Sequence, residues 1–77
     1  MIQVEVRMHG NLRRFLPGGV ASMRLELAAG TRVGEVARQL QAQHEVWVAS
    51  IGDTVVSLSA PLVDGALLDF YPHIEGG

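Results

Sequence analysis

The stretch PLVDGALLDFYPHIEGG, residues 61–77, contains the pattern on which the fold assignment of this 77-residue chain depends. Its centre, residues 67–71, is a short run of mostly apolar and aromatic side chains, which is typical of a β-strand. The proline, aspartate and glycine of residues 61–65 are typical of a turn. Two glycines, Gly76 and Gly77, complete the stretch. A glycine pair usually marks a turn with chain on both sides. This pair has none beyond it, so we expect a different role.

Two further strands are predicted near the start of the chain. Residues 2–8 and residues 23–27 both alternate apolar with polar side chains, which is the period of a half-buried strand. Between them, residues 11–16 would form a short helical turn with three apolar side chains on one face, and Pro17 would end it. The two strands are therefore expected to pair like a hairpin.

One helix of appreciable length is predicted in the middle of the chain. Thr31 is expected to be its N-cap, with Glu35 in the first turns to favour the helix dipole. Apolar side chains recur at helical spacing at Val33, Val36, Ala37 and Leu40. The pattern predicts a helix of about three turns that ends near residues 43–44.

The second half of the chain contains the remaining strands. Residues 46–51 and 54–58 are rich in β-branched side chains, and Gly52-Asp53 between them is typical of a two-residue hairpin turn. The order is thus two strands, one helix, and two or three strands. It predicts an α+β fold, the ubiquitin-like β-grasp, in which one main helix packs across a mixed sheet of four to five strands.

The connections predict how this sheet is assembled. A right-handed crossover would place the last strand parallel to the first. The length is that of one small domain, so residues 1–77 are expected to form a single domain in which residues 72–77 are a flexible tail.

Composition excludes several function classes. There is no cysteine for a disulfide or a thiolate zinc site, and eight acidic residues outnumber six basic ones, all of which are arginine. The single basic cluster, Arg13-Arg14, is too small for nucleic-acid binding. Glu5 and Arg7 interrupt the apolar start of the chain, which is therefore neither a signal peptide nor a membrane span. We expect a cytoplasmic protein that binds neither nucleic acid nor membranes.

The side chains predict no autonomous catalytic site. His9, His44 and His73 are far apart in the sequence and have no obvious partner, so we interpret them as exposed or partly packed polar residues. Trp47 and Phe70 are interpreted as core or sheet-face residues. No cofactor and no metal ion are expected to bind to the protein itself.

The glycine pair offers a different chemistry. A Gly-Gly segment can lie extended in a channel that is too narrow for a Cβ atom. The carboxylate of Gly77 would become electrophilic once ATP adenylated it, and a sulfur or amine nucleophile would then attack. Gly76 would let the tail pass, Pro72 would stiffen its exit from the last strand, and Ile74 would anchor its start. The protein would be a carrier whose catalytic groups belong to its partners.

Residues 61–77 resemble the C-terminal signature of the MoaD/ThiS-type ubiquitin-like sulfur carriers, in the form found in the molybdopterin synthase small subunit. That signature reads P-L-x-D-G-D-x-V-x-F-F-P-P-V-x-G-G. The matching residues are Pro61, Leu62, Asp64, Gly65, Phe70, Pro72, Gly76 and Gly77. Tyr71 stands for the second aromatic residue, and Ile74 for the apolar residue before the tail. The segments NLRRFLPGG (11–19) and TRVGEVARQL (31–40) resemble the family's first helical turn and its helix start.

The resemblance implies a function and a set of partners. A ubiquitin-activating-type enzyme would adenylate Gly77 with ATP, and a persulfide-derived sulfur would convert it to a thiocarboxylate. The tail would then enter a large molybdopterin synthase-type subunit and donate sulfur to a pterin, in molybdenum or tungsten cofactor biosynthesis. The chain would be the small, sulfur-donating subunit of that synthase. The face that docks its partners would include Val55, Phe70, Tyr71 and Ile74.

Four departures from the family pattern leave the partner open. They are Ala66-Leu67 in place of an acidic pair, His73 in place of the second proline, Ile51-Gly52-Asp53 in the hairpin, and Arg7 in place of an aromatic residue on the first strand. Sulfur transfer in thiamine synthesis is one alternative, and conjugation to target proteins through Gly77 is another. The third is a plain interaction module in which the glycine pair has no role.

Overall fold

A computed structural model of the protein describes residues 1–73, which form five strands, one α-helix and two short 3-10 segments. The strands are β1 (Ile2–Met8), β2 (Ser22–Leu27), β3 (Val46–Ile51), β4 (Thr54–Val56) and β5 (Leu67–Pro72). The helix α1 spans Val33–Gln39, and the 3-10 segments span Gly10–Phe15 and Pro17–Gly19.

The strands form one mixed sheet in the order β2-β1-β5-β3-β4. The central pair, β1 and β5, is parallel, with Val6 opposite Leu68 and Met8 opposite Phe70. The pairs β1–β2, β3–β4 and β3–β5 are antiparallel. This architecture confirms the predicted β-grasp, including the parallel first and last strands.

The core lies between α1 and one face of the sheet. Alternate residues of β1 and β5 point into it because successive side chains of a strand face opposite sides. Its members include Val4, Val6, Met8, Leu25, Leu27, Val33, Val36, Ala37, Leu68 and Phe70. Leu12 of the first 3-10 segment is fully buried beside them, so the predicted helical turn in residues 11–16 is confirmed as 3-10 helix.

The start of α1 differs from the prediction. The N-cap is Arg32, not Thr31, whose hydroxyl instead donates a hydrogen bond to the Ala28 carbonyl at 2.7 Å. The first helical N–H groups, of Val33 and Gly34, donate to carbonyls in the segment between β4 and β5. The long-range backbone contacts therefore satisfy donors that a side-chain cap would otherwise satisfy.

The end of α1 also differs from the prediction. The helix has seven residues rather than about three turns, because Gln41 adopts a left-handed conformation with a φ of 63°. The Gln41 N–H then donates to the Arg38 carbonyl at 2.9 Å, and the Ala42 N–H donates to the Ala37 carbonyl at 2.8 Å. This pair of bonds is the Schellman motif. The motif normally has glycine at the left-handed position, so the sequence contained no stop signal there.

Two strand ends also needed correction. The strand β4 ends at Val56 rather than residue 58. The strand β5 continues through Pro72, which pairs with Val46. Of the predicted tail, 72–77, the first residue therefore lies inside the last strand. Residues 74–77 lie outside the described part of the chain.

The conformation of Gln41 generates a stability prediction. The change Gln41→Gly removes a left-handed penalty of roughly 1–2 kcal/mol and adds an unfolded-state entropy cost of roughly 0.5–1 kcal/mol. We expect the free energy of unfolding in urea to rise by about 0.5–1 kcal/mol. The control Gln39→Gly, inside α1, should lower it by about the same amount. A loss of stability in Gln41→Gly would contradict the assignment.

Candidate functional site: the outer face of the sheet

The face of the sheet opposite α1, here called the outer face, carries a row of side chains in register. Arg7 on β1 pairs with Asp69 on β5, Asp69 pairs with Ser50 on β3, and Ser50 pairs with Val55 on β4. Tyr71 lies two residues beyond Asp69 on the same side of β5. The side chain of Arg7 and the whole of Val55 are well exposed to solvent.

A buried carboxylate lies at the centre of this row. The side chain of Asp69 is only 1% exposed. Its Oδ1 atom accepts hydrogen bonds from Arg7 Nε at 2.7 Å and from His9 Nε2 at 2.8 Å, and its Oδ2 accepts from Arg7 Nη2 at 3.2 Å. We call these three side chains the Asp69 cluster. It leaves the carboxylate fully paired, which is the condition for burying a charge.

The electrostatics of the cluster keep Asp69 ionised. Burial by itself would raise the pKa of the carboxyl group, but the hydrogen bonds and charges of Arg7 and His9 outweigh burial and hold it below its ordinary value. The hydrogen bond to Asp69, and then its negative charge, raise the pKa of Arg7. An ionised carboxylate only accepts hydrogen bonds, so His9 carries a hydrogen on Nε2.

The cluster extends to the end of β5 through His9. The imidazole ring stacks on the ring of Tyr71, with 4.4 Å between centroids and 9° between planes. His9 was predicted to be an exposed or partly packed polar residue, and it is partly packed. No partner for His9 was predictable from the sequence, because Asp69 and Tyr71 are about sixty positions away in the chain.

The residues that were predicted to dock partners do not all lie on the same face of the sheet. Val55 is 69% exposed, and Tyr71 is half-buried on the same face. Phe70 is a correction, because it is fully buried in the core opposite Met8 and Ala49. Neighbouring residues of a strand face opposite sides, so Phe70 and Tyr71 cannot both reach a partner. The predicted site residues Ile74, Gly76 and Gly77 lie outside the described residues.

The remaining candidates do not form a site in the described part of the chain. His44 and His73 are exposed, and residues 1–73 contain no group of three or more histidine, aspartate or glutamate side chains able to hold a metal ion. Trp47 lies at the irregularity of β3 between Val46 and Val48 and is 54% exposed. Within the same residues, no helix is long and apolar enough to cross a membrane.

The Asp69 cluster was missed by the sequence analysis. One signal for it was present, since Asp69 is the single charged residue in the apolar run of residues 67–71. A second was the spacing of Arg7 and His9, which places both on one side of an extended chain. Neither signal identifies the pairing, which depends on the parallel register of β1 and β5.

The lowered pKa of Asp69 predicts a specific acid sensitivity. A carboxyl whose folded-state pKa is depressed stabilises the fold above its unfolded-state pKa, and this contribution is lost as the pH falls through the folded-state value. We expect Asp69→Asn to lower the free energy of unfolding at pH 7 by about 1–2 kcal/mol. Because the contribution disappears in acid, the difference from the unmodified protein should shrink below about pH 4.

The measurement is urea unfolding between pH 7 and pH 2.5. The control is Asp53→Asn in the exposed β3–β4 turn, since Asp53 has no side-chain hydrogen bond or ion pair among the interactions described for residues 1–73. Its stability difference should be small at every pH. A difference for Asp69→Asn that stays constant with pH would contradict an ionised, paired carboxylate.

Comparison with solved structures finds the same fold in small ubiquitin-like proteins. A Pyrococcus furiosus protein named as subunit 1 of a molybdopterin converting factor is 22% identical, with a TM-score of 0.77 over 96% of this chain and 100% of its own. Small archaeal modifier protein 1 of Haloferax volcanii is 15% identical, with a TM-score of 0.76 over 96% of this chain and 100% of its own.

A third structure shows such a fold in a complex. It contains subunits 1 and 2 of the molybdopterin-converting factor from Helicobacter pylori 26695, and the matched chain is 21% identical, with a TM-score of 0.62 over 99% of this chain and 100% of its own. No protein-family profile matches this sequence. No curated protein matches it either. At these identities the similarity establishes the β-grasp fold.

Proposed function

We propose that this protein is a MoaD/ThiS-type sulfur carrier, in which the carboxylate of Gly77 is adenylated and converted to a thiocarboxylate that donates sulfur in molybdopterin biosynthesis. One observation carries the proposal. The fold matches, over nearly the whole length of both chains, that of a protein named as subunit 1 of a molybdopterin converting factor. The signature in residues 61–77 points to the same function independently of the fold.

The architecture suits a carrier better than an enzyme. The strand β5 lies in the middle of the sheet between β1 and β3, so the segment that leads to Gly76 and Gly77 starts from a strand that is paired on both sides. The buried carboxylate of the outer face is already paired with Arg7 and His9. It is therefore not free to act as a general base.

The chemistry of a carrier resides in its carboxylate. Attack of the Gly77 carboxylate on the α-phosphorus of ATP forms an acyl adenylate and releases pyrophosphate. A persulfide sulfur then displaces AMP, and a thiol cleaves the resulting sulfur–sulfur bond to leave the thiocarboxylate. We assign ATP binding, the persulfide and the receiving active site to partner enzymes, and to this chain the recognition surface and the slim tail.

One part of the partner assignment, the large subunit, is supported by a solved complex. The Helicobacter pylori structure pairs a chain of this fold with a second subunit of the converting factor. We propose an equivalent large subunit and a ubiquitin-activating-type adenylating enzyme as partners, both docking on the outer face through Val55 and Tyr71. The exposure of Val55 is consistent with such a contact.

Conjugation to other proteins is a second candidate, which one observation favours. The small archaeal modifier protein 1 of Haloferax volcanii, whose name describes a modifier, has the same fold over its whole length. Both functions begin with adenylation of Gly77. They differ in the nucleophile, which is sulfur for a carrier and a target amine for a modifier.

Intact-mass analysis of the protein from its native cells distinguishes these functions. A carrier should show a species heavier by one sulfur-for-oxygen exchange, which is absent when Gly77 is deleted. Gly76→Val should also abolish it while the unfolding curve stays the same, since the branched side chain would not fit a narrow channel. Conjugates of higher mass would favour the modifier. The proposal fails if the adenylating enzyme and ATP yield neither product.

The docking surface has its own test. We expect Val55→Arg to weaken binding to the adenylating enzyme by at least tenfold, since a charge buried in an apolar contact is costly. Val63→Arg is the matched control, because Val63 is 66% exposed but lies in the loop before β5. Calorimetric titration measures both affinities. Equal effects of the two changes would contradict docking through Val55.

A further inference from the structure

The turn from β1 into the first 3-10 segment touches each of the last three residues of β5. The backbone N–H of His9 donates to the Phe70 carbonyl at 3.1 Å, and the His9 ring stacks on Tyr71. Gly10 adjoins Pro72, since a Cβ atom at Gly10 would lie 3.1 Å from the Pro72 Cγ atom. Two consecutive residues therefore hold three consecutive residues of the strand.

These contacts act where the sheet itself holds β5 least. On the β1 side, the parallel ladder ends at the pair Met8–Phe70. On the β3 side, the register shifts between Val46 and Val48, opposite the last residues of β5. Pro72 also lacks an N–H with which to join a ladder. Beyond Phe70, the contacts from His9 and Gly10 hold the residues of β5 that regular strand pairing constrains less.

The Asp69 cluster sets the orientation of the His9 ring. The hydrogen bond from His9 Nε2 to Asp69 Oδ1 ties the ring to β5 two residues before Tyr71. Arg7 binds both oxygens of the same carboxylate, so the acceptor is itself fixed. A ring that is tethered at one edge and stacked on its face has little freedom left.

Gly10 meets two separate demands at this position. Its φ of +57° lies in the left-handed region, which other residues adopt at a cost. Pro72 would have to shift by a few tenths of an ångström to admit a side chain at position 10, because a distance of 3.1 Å is shorter than an ordinary carbon–carbon contact. Gly18 has a φ of +69° but open space around it. Substitutions at Gly10 and Gly18 therefore distinguish the effect of backbone strain, which both positions share, from the effect of contact with Pro72, which only Gly10 makes.

We infer that His9 and Gly10 form a clamp that fixes the direction in which the chain leaves β5, and that they are positioning residues for the activation of Gly77. The inference rests on the proposed function, because it assigns the clamp the task of presenting the tail to the adenylating enzyme. Loss of such positioning should lower the rate at which bound carrier reacts by more than it lowers the affinity of the outer face.

The structural half of the inference is tested on the protein alone. In the unmodified protein, residual dipolar couplings of the Tyr71 and His73 amides should share the alignment of the Val6 and Ala49 amides. In His9→Ala, the couplings of Tyr71 and His73 should depart from that alignment while those of Val6 and Ala49 keep it. Unchanged couplings at Tyr71 and His73 would overturn the clamp, whatever the protein's function.

The functional half is tested by ATP–pyrophosphate exchange with the adenylating enzyme of the same organism. We expect His9→Ala to lower kcat for exchange about tenfold, a larger factor than the rise in its Kd for the enzyme, to which the displaced Tyr71 would contribute. His9→Phe keeps a ring on Tyr71 and should recover most of the rate, whereas His9→Gln keeps only a donor to Asp69 and should not. Recovery by Gln alone would overturn the role of the stacked ring.

Glycine substitutions provide the matched comparison. Gly10→Ala should lower kcat for exchange about as much as His9→Ala, and Gly18→Ala, with similar backbone strain, should leave it unchanged. Equal rates for the unmodified protein, His9→Ala and Gly10→Ala would overturn the positioning role and leave the proposed function intact. No exchange with the unmodified protein would refute the proposed function, and the positioning role with it.

Discussion

The parallel pairing of β1 with β5 is the constraint on which the rest of this structure depends. It joins residues at opposite ends of the chain, since Arg7 and Asp69 are 62 positions apart. Its register decides which side chains of both strands enter the core. A shift of one residue would turn Asp69 towards α1 and Phe70 towards solvent, so the core and the outer face depend on the same pairing.

The same register explains how a carboxylate can remain charged inside the sheet. Arg7 lies directly opposite Asp69, and His9 follows two residues later on the same side of the chain. The two donors offset the cost of burial, and both come from β1 and the turn that follows it, on the parallel side of β5. The outer face therefore presents a neutralised charge between the apolar side chains of Val55 and Tyr71, which constrains the partners that can lie against it.

The proposed carrier function would explain why, within residues 1–73, the outer face contains a paired carboxylate and no free catalytic group. The reactive group that we propose follows β5 in the sequence, and we assign its reaction to a partner's site. The folded domain would then contribute a surface for recognition and a defined point of departure for the tail. In our proposal, the central position of β5 and the contacts of His9 and Gly10 with its last residues would both support that second contribution.

The predictions from sequence succeeded where the determining signal is local. Alternating side chains located β1 and β2, and Gly52-Asp53 identified the turn between β3 and β4. They failed at α1, where backbone contacts replaced the expected cap at Thr31 and Gln41 took a conformation that usually requires glycine. The ends of helices and strands depend on such contacts, which cannot be predicted from the neighbouring sequence.

The order of the elements, the β-grasp fold and the residues of the carrier hypothesis were all predictable from the sequence. They depend on hydrophobic period, turn chemistry and the signature of residues 61–77, which are local patterns along the chain. The placement of Phe70 in the core and of Tyr71 on the outer face became clear from the tertiary structure alone. The tertiary structure also brought Arg7 and His9 to the carboxylate of Asp69. The physical reason is that both outcomes depend on strand register, which is fixed by packing between distant segments of the chain.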